Sequence, residues 1–148
     1  KMDNKPRSSN LRTGRYTLTG QIYLLTTVTV DRQPVFADFQ AARCVIHCLQ
    51  QAQQLQHADT LAFVVMPDHL HWLMQLGPST DLSRCMAGVK SVCARQLGMA
   101  LWQKGFHDHA VRKEEDMPAL ARYLVANPVR AGLVERVGQY PHWDAIWL

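Results

Sequence analysis

The stretch from Leu61 to Leu76 constrains this chain more than any other. Leu61 to Met66 is a continuous apolar run, Pro67-Asp68 has the chemistry of a tight turn, and Gly77-Pro78 closes the segment. Between the turn and that closure, alternation puts His69, His71, Leu73 and Gln75 on one strand face and Leu70, Trp72, Met74 and Leu76 on the other. Two strands joined so tightly lie antiparallel, and the wholly apolar face must pack on helices. Polar groups on the opposite face of such a strand need a separate reason to be there.

The flanking segments fill in the rest of a sheet. Tyr16 to Val30 is rich in β-branched and aromatic residues and reads as one long strand or two, with a bulge or break at Gly20. Asp38 is placed to cap a helix reaching about Gln56, in which Phe39, Ala42, Ile46 and Leu49 recur at spacings of three and four. Asp81 caps a second helix that ends near Gly98, and Lys104 to Arg112 reads as a short strand. Asp116 caps a third helix, with Pro118 in its first turn and a stop enforced by Pro128 just after Asn127. The order β-α-β-β-α-β-α predicts an α+β fold. It is a ferredoxin-like or RRM-like antiparallel sheet with helices packed on it and an added C-terminal helix.

Composition narrows the class of function. The 148 residues suit one domain with a full core, and 47% apolar with 19% charged residues is too apolar for disorder. The longest apolar stretch, Leu61 to Pro67, is too short to span a membrane, and the polar, basic N-terminus shows no signal peptide. The expectation is a cytoplasmic protein without a membrane partner. Cys44, Cys48, Cys85 and Cys93 lack the spacing of a zinc knuckle or redox pair and read as small core residues of a reduced protein. Net charge is +4, and arginine outnumbers lysine eleven to five, a bias that suits phosphate. Residues 1–15 form a basic arm holding Arg12 and Arg15 among five basic residues, ahead of a single domain over 16–148. Such an arm either tracks a phosphate backbone or is simply a solvated tail.

Two sets of residues carry possible chemistry. His69 and His71 leave the same strand face about 6.6–7 Å apart and can converge on one divalent cation. His107-Asp108-His109 repeats the spacing. With seven histidines, about 0.3 such matches arise by chance, so spacing alone also permits a structural or surface role for either pair. Tyr123 lies one helical turn before Asn127 on the same face. A tyrosine is a known covalent nucleophile and an amide oxygen a hard metal ligand. Equally, Tyr123 reads as an amphipathic core residue and Asn127 as the cap of a following short helix.

Taken together, three blocks resemble the REP-associated tyrosine transposases, bacterial relatives of the single-tyrosine insertion-sequence transposases in the HUH nuclease superfamily. The blocks are Val65-Met66-Pro67-Asp68-His69-Leu70-His71-Trp72, Trp102-Gln103-x-x-Phe106-x-Asp108-His109, and Tyr123-Leu124-x-x-Asn127-Pro128-Val129-Arg130-Ala131-Gly132-Leu133-Val134. The resemblance runs from about Arg12 to Trp143. It implies that His69 and His71 are metal ligands, that Asn127 supplies a third, and that Tyr123 is the nucleophile. His107-Asp108-His109 has an acid in the middle, departs from the motif and is assigned no ligand role.

The activity so implied is metal-dependent cleavage and transfer of single-stranded DNA through a 5′-phosphotyrosine intermediate, with Mg²⁺ or Mn²⁺ as cofactor. The implied partner is a REP-type palindrome folded into a hairpin, handled by a monomer at the nucleoid. The family can carry a C-terminal extension, whereas this sequence stops at Leu148. The competing expectation is a non-catalytic, RRM-like module that binds single-stranded nucleic acid.

Overall fold

The computed structural model describes residues 3–6 and 20–147. Six strands are assigned: β1 (Asp3–Pro6), β2 (Ile22–Val28), β3 (Ala58–Met66), β4 (His69–Leu76), β5 (His107–Ala110) and β6 (Trp143–Ala145). The helices are α1 (Phe39–Gln54), α2 (Leu82–Leu97), α3 (Met117–Val125) and α4 (Asn127–Arg130). All neighbouring strands are antiparallel, in the order β1-β5-β2-β4-β3-β6. The inner four follow the ferredoxin-like order, with α1 crossing from β2 to β3 and α2 from β4 to β5. The α+β expectation therefore holds, and α3 is the added helix that carries Tyr123. Among the described residues, no helix is long and apolar enough to cross a membrane.

The helices start where aspartates stand ready to receive their free amides. Asp38, Asp81 and Asp116 each accept from the backbone N–H three residues on, at 2.9, 2.8 and 3.0 Å. Each such cap contributes about 1 kcal/mol. Gly98 ends α2 in the left-handed conformation at φ +66°, which a side chain would disfavour. Gly77 has a different reason to be glycine: a Cβ there would lie 2.0 Å from the Gln56 carbonyl oxygen. Backbone contact at the end of β4 therefore excludes any side chain.

The sheet has two unequal faces. On one, Leu70, Trp72, Met74 and Leu76 of β4 join Tyr23, Leu25, Phe63 and Val65 beneath α1 and α2 in the larger core. Trp72 is fully buried and donates its indole N–H to Thr60 Oγ1 at 2.9 Å, so burial leaves no donor unpaired. Cys48, Cys85 and Cys93 are buried and Cys44 half-buried; all four are free thiols, as expected. On the other face, Ala62, Val64, Met66 and Leu73 pack against Ala121, Leu124 and Val125 of α3. The histidine face of β4 is thus covered in part, by the helix that carries the tyrosine.

Four features depart from the sequence expectation. Asp3–Pro6, within the basic arm, is a strand that pairs with β5. The fourth predicted strand is shorter, His107–Ala110 only. Short 3-10 turns at Val30–Arg32 and Val35–Ala37 occupy the link before α1. β6 pairs with β3 at Ala62↔Ala145, Phe63↔Asp144 and Val64↔Trp143, and Tyr140 secures that edge by donating its hydroxyl to the Val65 carbonyl at 2.6 Å. Three residues are too few to show an alternating pattern, so nothing in the sequence marks β6 as a strand.

Candidate functional site

The histidine pair sits in the middle of the sheet. β4 pairs with β2 from Ile22↔Gln75 to Val28↔His69, and with β3 from Ala58↔Leu76 to Met66↔His69. His69 and His71 therefore share one face, with a full strand on each side. Their ring centroids are 4.7 Å apart, edge to face, closer than strand spacing alone would bring them because the side chains lean together.

Each ring is oriented through Nδ1. His69 Nδ1 lies 2.6 Å from Asp68 Oδ1, and His71 Nδ1 lies 2.8 Å from Thr26 Oγ1 on β2. Asp68 is itself held by the Arg32 guanidinium, Nε to Oδ2 at 3.0 Å. Burial pushes the Asp68 carboxyl up, but hydrogen bonds and charge from His69 and Arg32 outweigh it, leaving the carboxyl below its usual range. Burial, reinforced by His69 and then by Arg130, lowers His71 to about 4. At neutral pH that ring is uncharged and has Nε2 to offer.

This is the donor chemistry a divalent cation needs. Metal-binding imidazoles commonly spend one ring nitrogen on a carboxylate or hydroxyl partner and ligate through the other. Among the described residues, no three His, Cys, Asp or Glu side chains cluster in a way that could hold an ion. Any third donor to an ion held by these two rings would be an amide, water or substrate oxygen. Asn127 does not cap α4, whose N-cap is Ala126; its Nδ2–H donates back to the Leu124 carbonyl at 3.0 Å. That bond fixes the amide and leaves Oδ1 as the oxygen it could offer an ion.

Tyr123 is 67% exposed on α3, which is incompatible with a packed core role. Its ring carries the Arg130 guanidinium, whose Cζ lies 3.6 Å from the ring centroid. The same cation contributes, after burial and His69, to the lowering at His71. Arg130 lies in the third block of the family resemblance, which by itself implies no role for it. An arginine seven residues beyond a tyrosine carries no periodic signal of contact, because the helix is interrupted between them at Ala126.

The other predicted positions separate cleanly. His109 is buried, and its Nε2 lies 2.9 Å from both carboxylate oxygens of Glu115, while His107 is exposed. Arg12 and Arg15 lie outside the described residues.

Residues 17–127 match the family model described as "Transposase IS200 like". A REP-associated tyrosine transposase of Escherichia coli strain K12 is 27% identical over 132 residues, covering 86% of this chain and 78% of that protein. A Haemophilus influenzae protein, provisionally described in the same terms, is 28% identical over 144 residues, covering 83% of this chain and 78% of its own. A solved REP-associated tyrosine transposase, bound to a REP hairpin, aligns with TM-score 0.76 and 25% identity, over 87% of this chain and 79% of that one. A second structure, a Deinococcus radiodurans protein provisionally described as a transposase, shares the fold at TM-score 0.55 and 21% identity, over 78% of this chain and 95% of that one. With three quarters of its length inside the family model, the chain belongs to the IS200-like transposases, enzymes that act on DNA.

Proposed function

We propose that this transposase cleaves and rejoins single-stranded DNA beside a REP-type hairpin, with Tyr123 as nucleophile and His69, His71 and Asn127 as the residues that would hold a divalent cation. One observation carries the reading: two imidazoles with anchored Nδ1 atoms face the helix that exposes a tyrosine beside a cation. The bound Mg²⁺ or Mn²⁺ would polarise the scissile phosphate and offset its charge. Everything else falls to the chain's own groups.

Tyr123 Oη attacks phosphorus as the bond to O3′ breaks. The tyrosine proton passes to water, and the departing O3′ takes up a proton as a free hydroxyl. The product is a 5′-phosphotyrosine. A 3′-hydroxyl from the same strand or another reverses the step and restores the tyrosine, so bond energy is conserved and no nucleotide is consumed. Packing of α3 on the sheet fixes the line of attack, a contribution of orientation rather than of new bonding. Arg12 and Arg15 would add phosphate contacts, and the fold would act as a monomer in the cytoplasm, where its DNA lies.

The test is covalent capture. Incubation with a REP-type DNA hairpin carrying a single-stranded flank and Mn²⁺ should yield an SDS-resistant protein–DNA adduct, absent in Tyr123→Phe. Hairpin affinity should survive that substitution, since phosphate contacts do not need the hydroxyl. No adduct from the wild-type protein across flanks of varied sequence, with binding intact, would leave a binding module as the better description.

A further inference from the structure

We infer that Arg130 grips the scissile phosphate and presents it to Tyr123, making it a catalytic residue of the site. The inference rests on the reading of Tyr123 as nucleophile. It follows from where the guanidinium sits and what it lacks. Among the described residues, Arg130 forms no ion pair with a carboxylate, and its guanidinium stacks on the Tyr123 ring at 3.6 Å. It is solvent-exposed, yet the ring holds it in place. A guanidinium stays charged throughout the physiological range, and stacking on a π face leaves its in-plane N–H donors unspent. That planar fork matches the non-bridging oxygens of a phosphate.

Position supports the same role. The cation lies over the ring of the proposed nucleophile itself, Cζ 3.6 Å from its centroid. A phosphate approaching Tyr123 meets the guanidinium stacked on its ring. The charge that accumulates on the non-bridging oxygens during transfer then has a fixed partner that requires no rearrangement. Arginines placed this way in phosphoryl transfer contribute about 10³-fold or more to rate. The bland alternative is a stacked surface arginine that merely stiffens the end of α3.

The experiment compares two linkages. Arg130→Ala and Arg130→Lys are assayed on the flanked hairpin with an ordinary phosphodiester at the cleaved position, and on the same DNA with a neutral methylphosphonate there. Arg130→Ala should lose roughly 10³-fold in cleavage of the phosphodiester, with most of the loss in kcat. On the neutral linkage, the gap between wild type and Arg130→Ala should shrink by at least a factor of ten. Arg130→Lys should fall between the two, keeping charge without the fork. In a Tyr123→Phe background, which keeps the ring but cannot cleave, adding Arg130→Ala should reduce the salt slope of binding by roughly 0.7, the value for one single-strand phosphate contact. Equal losses on both linkages, or no loss on either, would overturn the assignment while leaving wild-type adduct formation, and hence Tyr123, untouched. Failure of the wild type to form any adduct would remove the reading and this inference together.

Discussion

The chain contains the same three-residue spacing twice on one sheet, and the two copies meet different partners. His69 and His71 have Nδ1 fixed by Asp68 and Thr26, which leaves Nε2 to ligate. His109 instead spends Nε2 on both oxygens of Glu115, and His107 is exposed to solvent. Histidine spacing sets which face the rings occupy. What they can do there depends on which nitrogen the neighbouring residues claim. A partner on Nδ1 leaves Nε2 open, whereas Glu115 takes Nε2 of His109 and leaves only a buried Nδ1.

The comparison breaks most sharply at the first pair. His69→Ala and His71→Ala should each abolish adduct formation while sparing hairpin binding, whereas His109→Ala should leave adduct formation by the folded protein intact. A chelator in excess should mimic the first two. Persistent cleavage by either His69→Ala or His71→Ala would erase the distinction drawn here.

The partners of the rings come next. Asp68→Ala removes the carboxylate behind His69 but no ligand, so Mn²⁺ affinity should fall by about 10- to 100-fold and activity should return at high Mn²⁺. Isothermal titration of the variant reads this directly. Activity that does not recover with metal would mean Asp68 serves the fold through Arg32 instead.

How much of this was legible beforehand follows from what each residue depends on. The three capping aspartates and the β3–β4 turn were readable because they act within four residues of themselves. His69 and His71 were placed on one face by alternation alone. The partners that distinguish the two histidine pairs were not. Thr26 lies 45 residues from His71, and its pairing follows from strand register rather than local sequence. Whether Tyr123 is packed or exposed depends on which face of α3 lies on the sheet, which helical spacing alone does not give. The Arg130 contact depends on the break at Ala126, which Pro128 foreshadows without giving its direction.

Smaller effects sharpen the second copy. Loss of the His109–Glu115 pair through His109→Ala should cost about 1.5–3 kcal/mol, read as a lower denaturation midpoint at unchanged slope. Burial raises the Glu115 carboxyl, but the Arg112 amide, His109 and the Arg112 charge bring it below its usual range. A depressed carboxyl stabilises the fold above its ordinary value of 4.5, and that contribution is lost as pH falls through the lowered one. Glu115→Gln should therefore flatten the acid limb of the stability curve. Smallest of all, exposed His107→Ala should change stability by no more than about 0.5 kcal/mol. A larger loss in adduct formation would reveal a contact with DNA.

β4 is hydrogen-bonded on both sides along nearly its whole length. A one-residue slip of this strand would turn both imidazoles toward α1 and α2 and bring Leu70 and Trp72 into their place. No intermediate register keeps one ring in position while the other is lost. On the proposed mechanism, competence is therefore all-or-none: each molecule has either the whole histidine pair or none of it. Under mild urea, adduct yield should follow the folded fraction point for point, with the surviving molecules working at full speed.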